Sequence, residues 1–164
     1  MGLDDAWKQL QQMHDSVRYA DAKAGIILTL DGILGGLVLV GVQSPGFVGE
    51  HPVPATALVV ALACLTVSVA FDIAAITPRL LAHGQQPSLL HFEHIGATRQ
   101  DDFVDDFMKL SQDADQLRRE IGAGVWANAV LARRKHRCVR WGLRFLAGAL
   151  AAIVVAAIAG AIGG

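Results

Sequence analysis

The chain has 164 residues, of which 53% are hydrophobic, and its mean hydropathy is positive at +0.42. That is too apolar for one soluble domain of this size with a wetted surface, so the excess has to reside in lipid. A formal net charge of −1 excludes the strongly basic balance of a nucleic-acid-binding protein, and two cysteines exclude a disulfide framework.

The opening segment is acidic and amphipathic, with an apolar stripe at Leu3, Trp7, Leu10, Val17 and Ala24. Such a helix is marginal alone in water and needs a partner surface. It lacks the basic start and short apolar core of a secretory signal, and Ala6 stands where a myristoylation motif has Ser or Thr. Residues 1–23 are therefore expected to persist as an unlipidated helix outside the membrane.

Residues 24–42 are apolar apart from Thr29 and Asp31, and at about 1.5 Å rise per residue they cover the hydrocarbon of a bilayer. A second run, 54–76, has Pro52 and Pro54 at its start and Pro78 beyond its end, where proline suits a helix boundary. These two spans make a hairpin over 24–78. Cys64 lies in the second run and Cys138 beside a basic cluster, so the two thiols are expected in different phases and unbridged.

Residues 79–140 read as a helical module. A short piece near 88–95 is followed by Phe103, Phe107, Leu110, Ala114, Leu117, Ile121, Gly124, Asn128 and Leu131, whose alternating steps of four and three form a heptad seam. Asp101 and Asp102 suit the positive end of its first turn, and Thr98 is placed to cap it. The pattern predicts one long helix that runs into the third span at 141–164. A kink at Gly122 and Gly124 stays open. The fold class is thus all-α, with three transmembrane helices and a bundle formed by the N-terminal helix, the short piece and the long helix.

Lys and Arg set the direction of threading. The 43–53 connector has none, whereas 79–144 holds eleven of the fourteen, so the N-terminus and the central module are expected in the cytoplasm and the C-terminus outside. Trp141 fits the cytoplasmic interface. The cluster Arg133, Arg134, Lys135, Arg137, Arg140 and Arg144 is first a topology determinant beside anionic lipid, with a role in holding a phosphate as the alternative.

Asp31 and Asp72 both lie roughly 10 Å deep from the same side. Each costs a few kcal/mol there unless it is protonated, hydrated or paired, and Arg144 is the cation expected to complete this polar seam. A structural ion pair and a seam that hydrates when helices move are both open. Gly148, Ala152, Ala156, Gly160 and Gly164, together with Gly32 and Gly36, recur at four-residue steps that let helix backbones approach closely, within one chain or between copies.

No phosphate-binding loop, dinucleotide turn, nucleophile elbow or catalytic carboxylate pair is found, so no catalytic residue and no enzyme activity are expected. His91 and His94 lack further ligands for a metal shell.

The segments RYADAKAGIILTLDGILGG at 18–36, SLLHFEHIG at 88–96 with Phe103 following, and ARRKHRCVRWGLRF at 132–145 resemble the transmembrane effectors of bacterial Pycsar antiphage systems. Asp31 and His136 depart from that pattern. The resemblance implies a multi-pass protein of the bacterial inner membrane that senses a cyclic pyrimidine mononucleotide, cCMP or cUMP, made by a partner cyclase. It further implies loss of membrane integrity and abortive infection. No cofactor beyond that activating ligand and no nucleic-acid partner are expected; the partners are the bilayer, the cyclase through its product, and further copies of the chain in a homo-oligomer.

A cyclic mononucleotide needs a cation or amide for its phosphate and a flat apolar surface for its base. Arg18, Tyr19, Lys23, His91, Phe92, His94, Arg99, Asn128, Arg133 and Lys135 are the candidates. Two other readings stay open: a membrane-anchored helical scaffold without pore activity, and an ion-coupled transporter subunit that rests only on the intramembrane acids.

Overall fold

The computed structural model describes residues 2–43, 52–77 and 92–163, and every regular element among them is a helix: α1 (Leu3–Val42), α2 (Pro52–Ile76), α3 (Phe92–Ala97), α4 (Gln100–Gln112) and α5 (Ala114–Gly163). Three of them, α1, α2 and α5, contain windows long and apolar enough to cross a membrane. Only 17%, 28% and 17% of these windows are buried within the chain. The remaining apolar surface turns outward, the arrangement of helices whose solvent is lipid.

Local chemistry explains the ends of the helices. At the start of α1, the Asp5 carboxylate accepts a hydrogen bond from the Gly2 N–H at 3.0 Å, and Asp4 with Asp5 complements the positive helix end. In α2, Pro52 and Pro54 occupy the first turn, where a missing N–H costs nothing. The hydroxyls of Thr56, Thr66 and Thr29 each donate to the carbonyl four residues back, at 2.7, 2.8 and 2.9 Å, so they add no unsatisfied donor to an apolar helix.

The expected single helix from 101 into the third span is interrupted once. At Asp113 the backbone turns extended (φ −104°, ψ 94°), and its carboxylate accepts from the N–H groups of Asp115 at 3.0 Å and Gln116 at 2.9 Å. Asp113 is therefore the N-cap of α5. Beyond it the helix is continuous, with no break at Gly122 or Gly124. The N-cap of α4 is Arg99, without a side-chain cap bond, rather than the expected Thr98.

The chain forms two compact units. The membrane unit comprises Ala20–Thr77 and Arg134–Gly164, and the helical unit comprises Met1–Tyr19 and Pro78–Arg133. In the helical unit, Ala6, Leu10 and Ile121 are buried together, with Leu3, Leu117 and Val125 against them. A side chain on Gly124 would come within 3.3 Å of Leu10, so the glycine permits close helix contact there. Trp7, expected in this stripe, is 41% exposed, and the face turns on Ala6 instead. Phe103 and Phe107 stack on each other at 5.8 Å, but Phe107 and Ala114 are exposed, because the turn at Asp113 resets the heptad phase. On the polar side of α4, the Asp106 carboxylate accepts a hydrogen bond from Lys109 at 3.1 Å and holds its ammonium above the ordinary lysine pKa.

In the membrane unit the core is built from α1 (Ala24, Ile27, Val38), α2 (Ala61, Leu65, Ala75) and α5 (Val139, Leu146, Ala149). The two cysteines are unbridged and pack at the edge of this core.

Candidate functional site

Ser68 and Asp72, four residues apart, share one face of α2. The Ser68 hydroxyl donates to the carbonyl of Gly142 on α5 at 3.0 Å, joining the two helices through a fully buried bond. One turn on, the Asp72 carboxyl presses on Gly142 itself. A Cβ at that glycine would stand 2.7 Å from Asp72 Oδ1, so only glycine leaves room. Phe71, beside Asp72 in sequence, stacks on Trp141 at 6.4 Å and on Phe145 at 5.9 Å. Aromatic packing thus flanks the polar contact.

Asp31 reaches the same place from α1. Its carboxyl adjoins Asp72 and Ser68, and Asp31 and Asp72 are 2% and 0% exposed. Among the described residues no hydrogen bond reaches any of the four carboxyl oxygens and no ion pair includes either residue. Buried polar atoms are nearly always bonded, so an orphaned pair of carboxyls is the feature of this unit that packing does not explain.

Arg144 does not complete the seam. Its guanidinium carbon lies 4.7 Å from the centre of the Trp141 ring. At about 100° per residue, position 144 lies roughly 200° around the helix from Gly142, away from Asp72. Trp141, three residues back on the same side, takes the cation instead.

A second polar contact of the membrane unit joins Asp21 on α1 to Lys135 on α5, by an ion pair and hydrogen bond. The Lys135 side chain is 9% exposed and that of Asp21 37%. The same two helices border a hollow of about 440 Å³ lined by Lys23, Ile26, Ile27, His136, Val139, Arg140 and Leu143. In the helical unit, a hollow of about 360 Å³ has Arg118 at its edge and Ile121 and Val125 in its wall.

The candidate nucleotide contacts are scattered by comparison. Lys135 is committed to Asp21. The Asn128 amide donates to the Gly124 carbonyl at 2.9 Å. Arg18, Tyr19, Lys23, Arg99 and Arg133 are exposed. His91 lies outside the described residues, as do the side chains of Phe92 and His94. Among the described residues no three or more His, Cys, Asp or Glu side chains converge as a metal-ligand group. Of the small-residue positions, a Cβ on Gly148 would stand 3.7 Å from Cys64 Sγ, Ala152 packs on the core and Ala156 is buried. A methyl on Gly32, Gly36 or Gly160 would meet no atom within 4 Å, and Gly164 is outside the described residues.

Sequence reading missed Ser68, Gly142, Asp21 and Arg118. Ser68 carried a usable signal, its four-residue spacing from Asp72. Asp21 lies in the 18–36 segment that carries the resemblance, but its partner stands 114 residues away; Gly142 carried no signal, its partner being 70 residues away.

Three apolar helices around a buried acidic pair define a multi-pass helical membrane protein. The family described as Pycsar effector protein domain matches residues 5–162. The chain belongs to that family, and it is accordingly a membrane effector of an antiphage system. No curated protein and no solved structure matches it.

Proposed function

We propose that this effector senses a cyclic pyrimidine mononucleotide, cCMP or cUMP, supplied by a partner cyclase, and responds by impairing the bacterial inner membrane so that infection aborts. The N-terminus and helical unit face the cytoplasm, where the nucleotide is made, and the C-terminus faces outward. The basic residues of 79–144 support that orientation.

The observation that carries the membrane-impairing step is the orphaned Asp31–Asp72 pair. An anchor has no use for two buried carboxyls, whereas a seam that opens and hydrates does. For sensing, the 360 Å³ hollow of the helical unit offers the right chemistry: Arg118, which a phosphate would share with its present partner Asp115 at 2.6 Å, and Ile121 and Val125 for a base. Arg18, Arg99 and Arg133 remain accessible as further phosphate partners. Ligand binding then shifts the population between packed and opened spans. The exposed faces at Gly32 and Gly36 suit contact with a second copy, so the active form is a homo-oligomer.

The test is to express the chain with and without a cyclase that makes cCMP or cUMP and to follow a membrane-potential dye. Depolarisation is expected only with the nucleotide, and its loss or alteration in Asp31→Leu and Asp72→Leu. Depolarisation in neither condition overturns the proposal, and full activity in both variants returns the chain to the role of an anchor.

A further inference from the structure

The polar groups that meet the two carboxyls are all oxygens. From α1 the facing group is Asp31; from α2 they are Ser68 and Asp72; from α5 it is the Gly142 backbone. The Ser68 hydroxyl donates to the Gly142 carbonyl, and the same oxygen adjoins Asp31. Arg144, the cation expected to complete the seam, is held over Trp141. Two carboxyls and a hydroxyl oxygen, buried together with no nitrogen donor and no cation paired to them among the described residues, are a hard-ligand set that lacks its positive charge.

We propose that Asp31, Asp72 and Ser68 form a binding site for a small monovalent cation, a proton or an alkali ion, inside the membrane unit, and that this site makes the effector's leak selective for cations. No third His, Cys, Asp or Glu joins the pair among the described residues, so the set falls far short of the roughly six to eight oxygens that a calcium ion takes. In the packed state the bound cation neutralises the pair and lets α1, α2 and α5 close around it. When the spans part, the same oxygens line the opening and repel anions. The binding part stands by itself; the selectivity part rests on the membrane-impairing function proposed above.

Two experiments separate these parts. The first melts the full-length protein in detergent, in NaCl or KCl against choline chloride at equal ionic strength, across a series of pH values. Wild type is expected to gain several degrees in Tm with the alkali ion or on acidification, and Asp31→Asn and Asp72→Asn are each expected to lose that dependence whatever their own Tm. Alkali dependence names a metal cation as occupant, and acid dependence alone names a proton. Absence of both in wild type, or persistence in both variants, overturns the site.

The second measures reversal potentials across liposomes of anionic phospholipid under a KCl gradient, with cCMP and cUMP each added as trigger. A cation-directed potential that collapses in the variants is expected. An anion-directed or non-selective wild-type leak overturns the selectivity. No leak with either nucleotide sinks the membrane-impairing function while leaving the cation-dependent Tm standing.

Discussion

At the level of single residues, Gly142 and Asp72 decide the packing between α2 and α5. Gly142→Ala puts a methyl 2.7 Å from Asp72 Oδ1, an overlap expected to cost about 1–3 kcal/mol. In an Asp72→Ala background the overlap is gone, so a double-mutant cycle read by thermal melting is expected to show a coupling of about 1 kcal/mol or more. Additive penalties would mean that the two residues do not touch. Asp31 and Asp72 were legible in the sequence because an acid in an apolar run is conspicuous. Gly142 was not, since one glycine among many reveals nothing until its partner is placed. Arg144 misled for a related reason: proximity along the chain suggested a counter-ion, and the angular step between 142 and 144 removed it.

Among the helices, α4 and α5 show where a pattern of apolar residues falls short. The heptad steps run unbroken from Phe103 to Leu131 and predict one helix, because the count ignores what the polar positions do. Asp113 sits in a polar stretch, and its carboxylate satisfies two backbone N–H groups that would otherwise start α5 unpaired. Asp113→Ala is expected to cost about 1 kcal/mol and to speed hydrogen exchange at residues 114–117. Unchanged exchange there would mean that α4 and α5 act as one helix. The N-terminal stripe was legible in its period and wrong by one position, since Ala6 permits the close approach to Ile121 that the bulk of Trp7 does not.

For the whole molecule, the membrane assignment was the most legible result, because three long apolar runs leave few alternatives to lipid. The nucleotide contacts were the least legible. Arginines suited to a phosphate are equally suited to water, and composition does not separate the two. What the sequence left undecided about the small-residue faces, the structure divides: Gly148, Ala152 and Ala156 are used inside the chain, whereas Gly32 and Gly36 are open. With Cys64 and Cys138 replaced by alanine, Gly36→Cys is therefore expected to form a disulfide-linked dimer on oxidation in native membranes. A product that stays monomeric would remove α1 from any interface between copies.

The aromatic cluster has a practical consequence. Trp7 and Trp126 belong to the helical unit, while Trp141 lies in the membrane unit, stacked on Phe71 and covered by Arg144. Emission from Trp141 is sensitive to that stacking, so replacing the other two indoles with phenylalanine turns the protein into its own optical gauge. Parting of the second and third spans can then be followed as a change in intrinsic fluorescence, with no dye attached.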